Sequence, residues 1–262
     1  MESILKKIII AKEKEVKAAK EQCPFSVLLE KIGKTGIERR SFLENISAKG
    51  KVNCIGELKK ASPLKGVLRK DLDLAKTACL YESAGVKALS VLTDVFFQGK
   101  ISDIKKVRAA VTLPVLRKDF IIDEYQVFES FLAGADAVLL IAAILSRKKL
   151  SDLLDMTHSL GMDALVEIHD EIDLKKIDFN RAKIIGINNR NLKSFSVDLR
   201  TTQRLLPKIP ADKVIVSESG ISSRSDVLFL KKLGVRAMLI GEGIVSVPDM
   251  RSRIKYLLGR RK

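Results

Sequence analysis

The sequence predicts an α/β protein made of a single (β/α)8 barrel, the TIM-barrel fold, preceded by an N-terminal helical extension. Eight short runs of apolar, β-branched residues recur about every 26 residues between positions 52 and 240. Runs of this kind are typical of parallel strands that are buried on both faces. Segments with helix-capping residues and closing glycines separate them. Eight such units fit a barrel whose usual size is about 250 residues.

The predicted strands and helices alternate along the chain. The strands are Val52–Leu58, Lys87–Leu92, Leu113–Leu116, Asp136–Ile141, Met162–Ile168, Lys183–Asn188, Lys213–Ser217 and Arg236–Ile240. Helix starts are predicted at the capping segments that begin with Asp71, Ser102, Asp123, Ser222 and Pro248. Glycines suited to closing a helix in the left-handed conformation stand at Gly85, Gly134, Gly161 and Gly234.

The segment before the first strand is predicted to be helical as well. Ile4, Leu5, Ile8 and Ile9 fall at helical spacing and precede alternating charges, which indicates an amphipathic helix. Shorter helices are predicted over residues 25–31 and 38–46. We therefore expect residues 1–50 to pack on the barrel as an extension and residues 51–262 to form the barrel, with one domain overall.

Composition narrows the class of protein. Apolar residues make up 46% of the chain, but the longest apolar run, 137–145, is far shorter than the roughly 20 residues that cross a bilayer. We therefore expect no membrane partner. The three cysteines, Cys23, Cys54 and Cys79, are odd in number and widely spaced. Such cysteines indicate free thiols in a reducing compartment, and so a cytoplasmic location.

The chain is strongly basic, with a formal net charge of +16. The excess of Lys and Arg is concentrated in residues 31–70. A basic surface suits a polyanionic partner such as nucleic acid, or is simply a solvated face. Because this segment surrounds the first strand and its loop, we expect it to steer a doubly anionic substrate towards the barrel mouth.

Charged residues stand at several predicted strand ends, where the chemistry of such barrels takes place. Alternation along a strand puts Glu57 and Lys59 on one face. By the same rule Lys118, Glu167 and Asn188 lie on the inward faces of their strands, and Arg190 shares the face of Asn188. Charges that converge in this way perturb each other's pKa values, as acid–base catalysis requires.

The last two strand ends differ in kind. Ser219-Gly220 and Gly241-Glu242-Gly243 are small-residue turns that lead into helices. Glycine lets backbone N–H groups approach an anion, and these two loops are the common phosphate site of the fold. We therefore expect phosphate to bind there.

Other side chains near the mouth leave two interpretations open. Phe96, Phe97 and Phe120 either belong to the core or form the wall of a pocket for an aromatic substrate. The only two histidines are His158 and His169, and no cysteine cluster accompanies them. A nitrogen and sulfur metal site is therefore not expected.

Five segments carry a resemblance to a known family. They are Glu57-Leu-Lys59-Lys-Ala-Ser62-Pro63, Leu92-Thr-Asp94 with Phe96-Phe-Gln-Gly99, Leu116-Arg-Lys118-Asp-Phe120, Gly186-Ile-Asn188-Asn-Arg190 and Ser217-Glu218-Ser219-Gly220. In this order they resemble the indole-3-glycerol-phosphate synthases, the decarboxylating cyclases of tryptophan biosynthesis. The resemblance covers nearly the whole chain, including the N-terminal helices. Leu64, Asn191 and a short loop near Val95 depart from the family's pattern.

The resemblance implies a reaction that uses no cofactor. The substrate is 1-(2-carboxyphenylamino)-1-deoxyribulose 5-phosphate, and the products are indole-3-glycerol phosphate, carbon dioxide and water. Lys118 resembles the general acid that protonates the ketone, and Glu167 resembles the base of the later dehydration. Glu57 and Lys59 resemble a further acid–base pair, and Asn188 a hydrogen-bonding side chain. Residues implied to bind substrate are Ser62, Phe97, Phe120, Arg190, Glu218 and Ser219, and those implied to offer backbone amides to phosphate are Gly220, Gly241 and Glu242.

Two alternative functions differ in what they explain. Another phosphate-binding barrel, such as phosphoribosylanthranilate isomerase, is expected to end its first strand in a catalytic cysteine, where this chain has Glu57. A nucleic-acid-binding protein accounts for the net charge but not for inward charges at four strand ends, and 5% aromatic residues offer few stacking platforms. We therefore expect a small anionic substrate with a carboxylate and a phosphate, no nucleic acid, and a monomer.

Overall fold

The barrel prediction is confirmed by a computed structural model, which describes residues 4–63, 66–192 and 194–260. Eight parallel strands form a closed barrel in which each strand pairs with the next and the first pairs with the last. The strands are β1 Asn53–Leu58, β2 Ala88–Leu92, β3 Val115–Lys118, β4 Ala137–Ile141, β5 Asp163–Ile168, β6 Ile184–Asn188, β7 Val214–Glu218 and β8 Ala237–Ile240.

Helices surround the barrel and precede it. They are α1 Ile4–Gln22, α2 Phe25–Gly33, α3 Phe42–Ile46, α4 Leu74–Ala84, α5 Ser102–Ala110, α6 Glu124–Ala133, α7 Arg147–Ser159, α8 Glu171–Leu174, α9 Arg200–Leu205, α10 Arg224–Leu233, α11 Glu242–Val245 and α12 Met250–Leu258. Single 3-10 turns follow β2, β4 and α9, and a two-stranded ribbon joins Ala61–Ser62 to Gly66–Val67. The predicted caps Asp123 and Ser223 each accept a hydrogen bond from the first turn of their helix.

The predicted strand starts lie one or two residues before the observed ones, and two of the differences in boundaries have a local reason. The third strand begins at Val115 and not at Leu113, because Pro114 has no N–H to donate to the ladder. The same strand continues to Lys118, which pairs with Leu92. The third helix begins at Phe42 and not at residue 38, because the Ser41 side chain caps it by accepting from the N–H of Glu44.

The interior of the barrel is closed at its bottom, where the strands begin, by the short helix α3. Phe42 and Ile46 of α3 are fully buried and pack with inward strand residues such as Ile55 and Leu116. A separate apolar layer fills the space between the strands and the outer helices, and it includes Cys54. Cys54 and Glu57 are three residues apart on β1 and therefore lie on opposite faces of the strand, as alternation along a strand predicts.

The basic segment 31–70 is divided between the two ends of the barrel: Lys59 follows β1 at the mouth, whereas Arg39 and Arg40 lie at the bottom. The Arg40 guanidinium donates to the carbonyl oxygens of Val111 (2.8 Å) and Leu113 (2.9 Å), which precede β3. The Arg39 guanidinium donates to the carbonyl oxygen of Ala135 (2.6 Å), which precedes β4. These two arginines satisfy backbone carbonyls at the barrel bottom, so the predicted steering of substrate rests on the residues of the segment that lie nearer the mouth.

Helix α1 crosses the mouth and is held there by a buried ion cluster. Lys12 is only 3% exposed, and its Nζ lies 2.8 Å from Oδ2 of Asp94 and 2.9 Å from Oδ1 of Asp119. Burial opposes the charged form of Lys12, but these carboxylates outweigh it and raise the lysine pKa. Removing one partner from such a cluster leaves an uncompensated buried charge. The cluster therefore fixes α1 over the strand ends.

Candidate active site

A cavity of about 760 Å³ opens at the carboxyl ends of the strands, beneath α1. This volume lies within the usual range for small-molecule sites. Every residue that the sequence placed in the site lines this cavity: Glu57, Lys59, Ser62, Phe97, Lys118, Phe120, Glu167, Asn188, Arg190, Glu218, Ser219, Gly220, Gly241 and Glu242. The structure therefore brings the whole predicted set together in one place.

At the centre of the cavity floor is one ammonium among three carboxylates. Lys118 Nζ lies 3.4 Å from Oε2 of Glu167 and 3.6 Å from Oε2 of Glu218, and Glu57 is close enough to interact with it electrostatically. These four residues come from β1, β3, β5 and β7. Alternate strands of such a barrel contribute side chains to the same layer. The charged layer is therefore the top layer of the barrel interior.

Burial and charge set the protonation of this layer. All three glutamates are buried. Burial opposes the charged form of Lys118, but Glu167, Glu218 and Glu57 outweigh it and raise the lysine pKa. Burial and the neighbouring Glu167 raise the pKa of Glu218 to about 8. The pKa of Glu167 is lowered: burial would raise it, but Lys118, His169 and a hydrogen bond from Asn188 outweigh that effect. At neutral pH the layer therefore holds an ionised Glu167 beside a protonated Glu218.

Two glycines make room for the carboxylates. A Cβ at Gly186 would lie 2.2 Å from Oε1 of Glu218, and a Cβ at Gly241 would lie 2.2 Å from Oε1 of Glu57. Gly186 stands on β6, beside the strand of Glu218, and Gly241 directly follows β8, beside the strand of Glu57. Any side chain at these positions would push a buried carboxylate out of the layer.

Lys59 stands just past β1, above this layer. Its Nζ lies 3.7 Å from Oε1 of Glu57 and 5.3 Å from the centre of the Phe97 ring. A cation at this distance from an aromatic face is attracted to it. The second lysine is therefore held between a carboxylate and a ring at the cavity wall.

The end of β6 orients Asn188. The backbone N–H of Arg190 donates to Oδ1 of Asn188 (3.0 Å), so the amide NH2 group remains for the carboxylate of Glu167. The Arg190 guanidinium donates to the carbonyl oxygen of Phe195 (3.2 Å). This bond folds the loop after β6 over the cavity.

The turns after β7 and β8 form the other end of the cavity. Ser219 has φ +65° and Gly220 has φ +79°, so two consecutive residues are left-handed. A serine in this conformation is a strained backbone of the kind found at functional sites. A Cβ at Gly243 would lie 2.8 Å from the carbonyl oxygen of Ile221, so the two turns touch each other.

The cavity wall is apolar on one side. Phe97 and Phe120 line it, whereas Phe96 is 38% exposed and does not. Of the two interpretations of these rings, the pocket wall is therefore the one that applies to Phe97 and Phe120. Ile4, Leu5 and Ile8 of α1 complete this wall. Their contribution was not foreseen, because the sequence placed α1 only somewhere on the barrel.

Sequence reasoning missed two further polar residues. Arg253 of α12 lines the cavity and donates to the carbonyl oxygens of Gly243 (2.9 Å) and Ser222. His169, which was set aside, has its Nε2 3.3 Å from Oε1 of Glu167. A usable signal existed only for His169, which stands two positions after Glu167 and therefore on the same face.

The three departures from the family's pattern have different outcomes. Leu64 lies outside the described residues. Asn191 closes a turn, since its N–H donates to the carbonyl oxygen of Ser196 (2.9 Å). Val95 begins a 3-10 turn whose cap is Asp94. Within the described ranges, no helix is long and apolar enough to span a membrane, and no group of His, Cys, Asp and Glu side chains is arranged to hold a metal ion.

The fold and the charged layer define an acid–base enzyme built on a TIM barrel. A family model described as "Indole-3-glycerol phosphate synthase" matches residues 5–257. The chain belongs to the indole-3-glycerol phosphate synthase family. It is 48% identical over 249 residues to the enzyme of that name from Caldanaerobacter subterraneus, with 95% of each chain covered. It is 46% identical to the one from Desulfosudis oleivorans over 98% of this chain and 99% of the relative.

The similarity of this chain to solved structures supports only its fold. A 3-hexulose-6-phosphate synthase from Salmonella typhimurium is similar with a TM-score of 0.65 at 15% identity, covering 79% of this chain and 97% of that one. A mutant tryptophan synthase α-subunit from Pyrococcus furiosus gives a TM-score of 0.61 at 14% identity, covering 80% and 98%. The predicted family, barrel fold and lyase activity are confirmed by the family match. The isomerase and nucleic-acid alternatives are not favoured.

The raised pKa of Glu218 predicts a pH-dependent cost in stability. The unfolded chain releases this proton near pH 4.5, whereas the folded protein keeps it to about pH 8. Stability therefore falls as pH rises between these values. Because glutamine has no such proton, Glu218→Gln should unfold at a higher temperature than the wild type at pH 8.5, with a smaller difference at pH 5. Each pKa unit is worth about 1.4 kcal/mol, or about 3–6 °C in Tm.

Scanning calorimetry at the two pH values provides the measurement. The exposed Glu30 offers a control, and Glu30→Gln should show no such pH-dependent gain. An equal change in Tm at pH 5 and pH 8.5 for Glu218→Gln would mean that Glu218 is ionised like an ordinary carboxylate.

Proposed function

We propose that this protein closes the indole ring of 1-(2-carboxyphenylamino)-1-deoxyribulose 5-phosphate, releasing carbon dioxide and water, and that the charged layer around Lys118 does the chemistry. The observation that carries this proposal is the ammonium of Lys118 held between Glu167 and Glu218 at the floor of the cavity. The substrate has one aromatic end and one phosphate end. The cavity likewise has an apolar wall at one side and two small-residue turns at the other.

Ring closure needs an acid at the ketone. The aromatic carbon that bears the carboxylate attacks the ketone carbon, a carbon–carbon bond forms, and the carbonyl π electrons move to oxygen. That oxygen takes a proton from Lys118 as the bond forms. The three carboxylates keep Lys118 protonated at neutral pH, so its donor is in place before substrate arrives.

Decarboxylation is favoured by the apolar wall. The carbon–carboxylate bond breaks, its electron pair restores the aromatic ring, and carbon dioxide leaves. A carboxylate placed against Phe120 and Ile8 has exchanged water for apolar surface, which disfavours its charge. The charge is lost when carbon dioxide forms. Helix α1 would therefore contribute to the chemistry by excluding water from one wall.

Dehydration needs a base and an acid together. The hydroxyl formed in ring closure leaves as water after it gains a proton, and a proton is lost from the carbon next to nitrogen. Glu167 is the ionised carboxylate of the layer and is the base in this proposal. Asn188 orients it and lies near the departing hydroxyl. Lys59 and Glu57 form a second donor and acceptor pair on the same side of the cavity.

The phosphate end is proposed to lie between the turns after β7 and β8, with Gly220, Gly241 and Glu242 contributing backbone N–H groups. Arg253 supports this placement. Its guanidinium binds a carbonyl oxygen from each side, at Ser222 and Gly243, and its positive charge faces the same end of the cavity. Arg190 adds a second cation at the cavity edge. Ser62 and Ser219 would supply hydroxyls along the substrate between the two ends.

The remaining proposals concern the cell and the assembly. We infer that the enzyme works without a cofactor, on a small anionic substrate, as a monomer in the cytoplasm. The three cysteines are free and have no disulfide partner among the residues that the structure covers. Free thiols of this kind fit a reducing compartment.

The lysine acid can be tested by Lys118→Met, which keeps the bulk of the side chain and removes the proton donor. Loss of a positioned general acid costs about 10²- to 10⁴-fold in rate, so kcat should fall by that factor while substrate still binds through its phosphate. Product formation can be followed by indole fluorescence, because the chain contains no Trp.

Two controls make the result specific. Circular dichroism reports whether the variant folds, and Lys148→Met changes a lysine of α7 whose ion pair with Asp152 is on the surface. A Lys118→Met enzyme that keeps more than about a tenth of the wild-type kcat lies outside the range for a general acid. In that case Lys59 would be the next donor to test.

The phosphate end can be tested by Arg253→Gln. A hydrogen bond to a charged group contributes about 1.5–3 kcal/mol, so KM should rise about 10- to 100-fold with kcat nearly unchanged. Inhibition by inorganic phosphate should weaken by a similar factor. Gly220 is a poorer test, because its φ of +79° and the nearby Val197 make any side chain disruptive.

Arg251→Gln is the matched control for this measurement. Arg251 stands on the same helix, two positions earlier, and is exposed. Its KM and kcat, measured by steady-state kinetics, should be close to those of the wild type. If Arg253→Gln lowers kcat at constant KM, or leaves phosphate inhibition as it was, the phosphate lies elsewhere.

A further inference from the structure

His169 is a buried titratable residue that the proposed mechanism does not use. It directly follows β5, and its side chain is 9% exposed. Its Nε2 lies 3.3 Å from Oε1 of Glu167, and its Nδ1 lies 3.6 Å from Oδ2 of Asp173. The imidazole therefore lies between two carboxylates, one inside the cavity and one behind it.

The outer carboxylate is fixed in place. Oδ2 of Asp173 accepts the backbone N–H of His169 (3.0 Å), and Lys176 lies 3.8 Å from Oδ1. Asp173 belongs to α8, the short helix after β5, and is 4% exposed. Asp173 therefore contacts both the backbone N–H and the imidazole of His169, on the side of the ring that faces away from the cavity.

Each oxygen of Glu167 has a different neighbour. Oε2 faces Lys118, and Oε1 faces His169. Neighbours at both oxygens restrict the rotation of this carboxylate more than a neighbour at one oxygen alone would. Catalytic bases are commonly oriented by a third group in this manner.

We propose that His169 is a positioning residue, which contacts the Oε1 oxygen of Glu167 and supports its negative charge through an Asp173–His169–Glu167 chain. The proposal rests on the proposed function, in which Glu167 is the base of the dehydration. It assigns His169 no contact with substrate. The chain places a charge-supporting group behind the base, outside the cavity.

Other charges also act on Glu167 and decide the direction of the pH effect. Lys118 approaches from β3, Asn188 from β6 and Glu218 from β7. Asp173 and Lys176 face His169 from the α8 side. Removing the imidazole takes away one of the groups that lower the pKa of Glu167 and leaves Glu218 in place, so the pKa of Glu167 should rise.

The first test is His169→Asn, which keeps the backbone N–H that binds Asp173. The expected result is a fall in kcat of about tenfold or more, the equivalent of one pKa unit, with KM within about twofold. The acidic limb of the kcat–pH profile should move to higher pH. A variant that merely loosens the fold would not move that limb.

The other histidine supplies the matched control. His158 lies near the end of α7 and is only partly buried, so His158→Asn should leave kcat and the pH profile unchanged. Asp173→Asn is a second variant, which leaves the imidazole in place but removes its outer charge. It should shift the acidic limb in the same direction by a smaller amount.

The second test needs no activity. Because the chain has two histidines, two imidazole signals are expected by NMR. Glu167→Gln should shift the His169 signal and leave the His158 signal in place. Equal signals before and after this change would overturn the proposal. So would a His169→Asn enzyme with a normal acidic limb. If Glu167→Gln shifts the His169 signal but the wild-type enzyme forms no product from the substrate, the proposed function is contradicted instead.

Discussion

The charged layer of this barrel depends on the ammonium of Lys118 standing within reach of three buried carboxylates. Three glutamates without it would repel each other in a site that excludes water. With it, the layer carries one cation, an ionised Glu167 and a Glu218 that keeps its proton. A single geometric arrangement therefore provides acids and a base at the same pH.

The surrounding fold is shaped to hold this layer. Gly186 and Gly241 lack the side chains that would displace Glu218 and Glu57. Above the layer, α1 is fixed by Lys12 against Asp94 and Asp119, and its apolar residues form part of the cavity wall. Below it, α3 plugs the barrel with Phe42. Helices α1 and α3 thus limit the access of water from above and below the layer, and the cavity between α1 and the layer is open to substrate.

Patterns of short range in the sequence predicted most of the fold and site. Strands buried on both faces are continuous apolar runs, and alternation within them assigned Glu57, Lys118 and Glu167 to the interior. Contacts between distant parts of the chain left no such pattern. Lys12 and Asp119 meet only after folding, and Arg253 reaches the turns after β7 and β8 from α12. The division of the basic segment between the two ends could not be predicted, because charge counts do not say which end of the barrel a residue occupies.

The most direct test of the account is the titration of individual glutamate carboxyls by carbon-13 NMR, with Glu167→Gln and Glu218→Gln used to assign the signals. We expect Glu218 to titrate near pH 8 and Glu167 to titrate below its ordinary pKa. We also expect Lys118→Met to raise the pKa of Glu167, because the substitution removes the ammonium beside it. If both glutamates release their protons together near their ordinary pKa, in the presence or absence of Lys118, the ammonium does not organise the site.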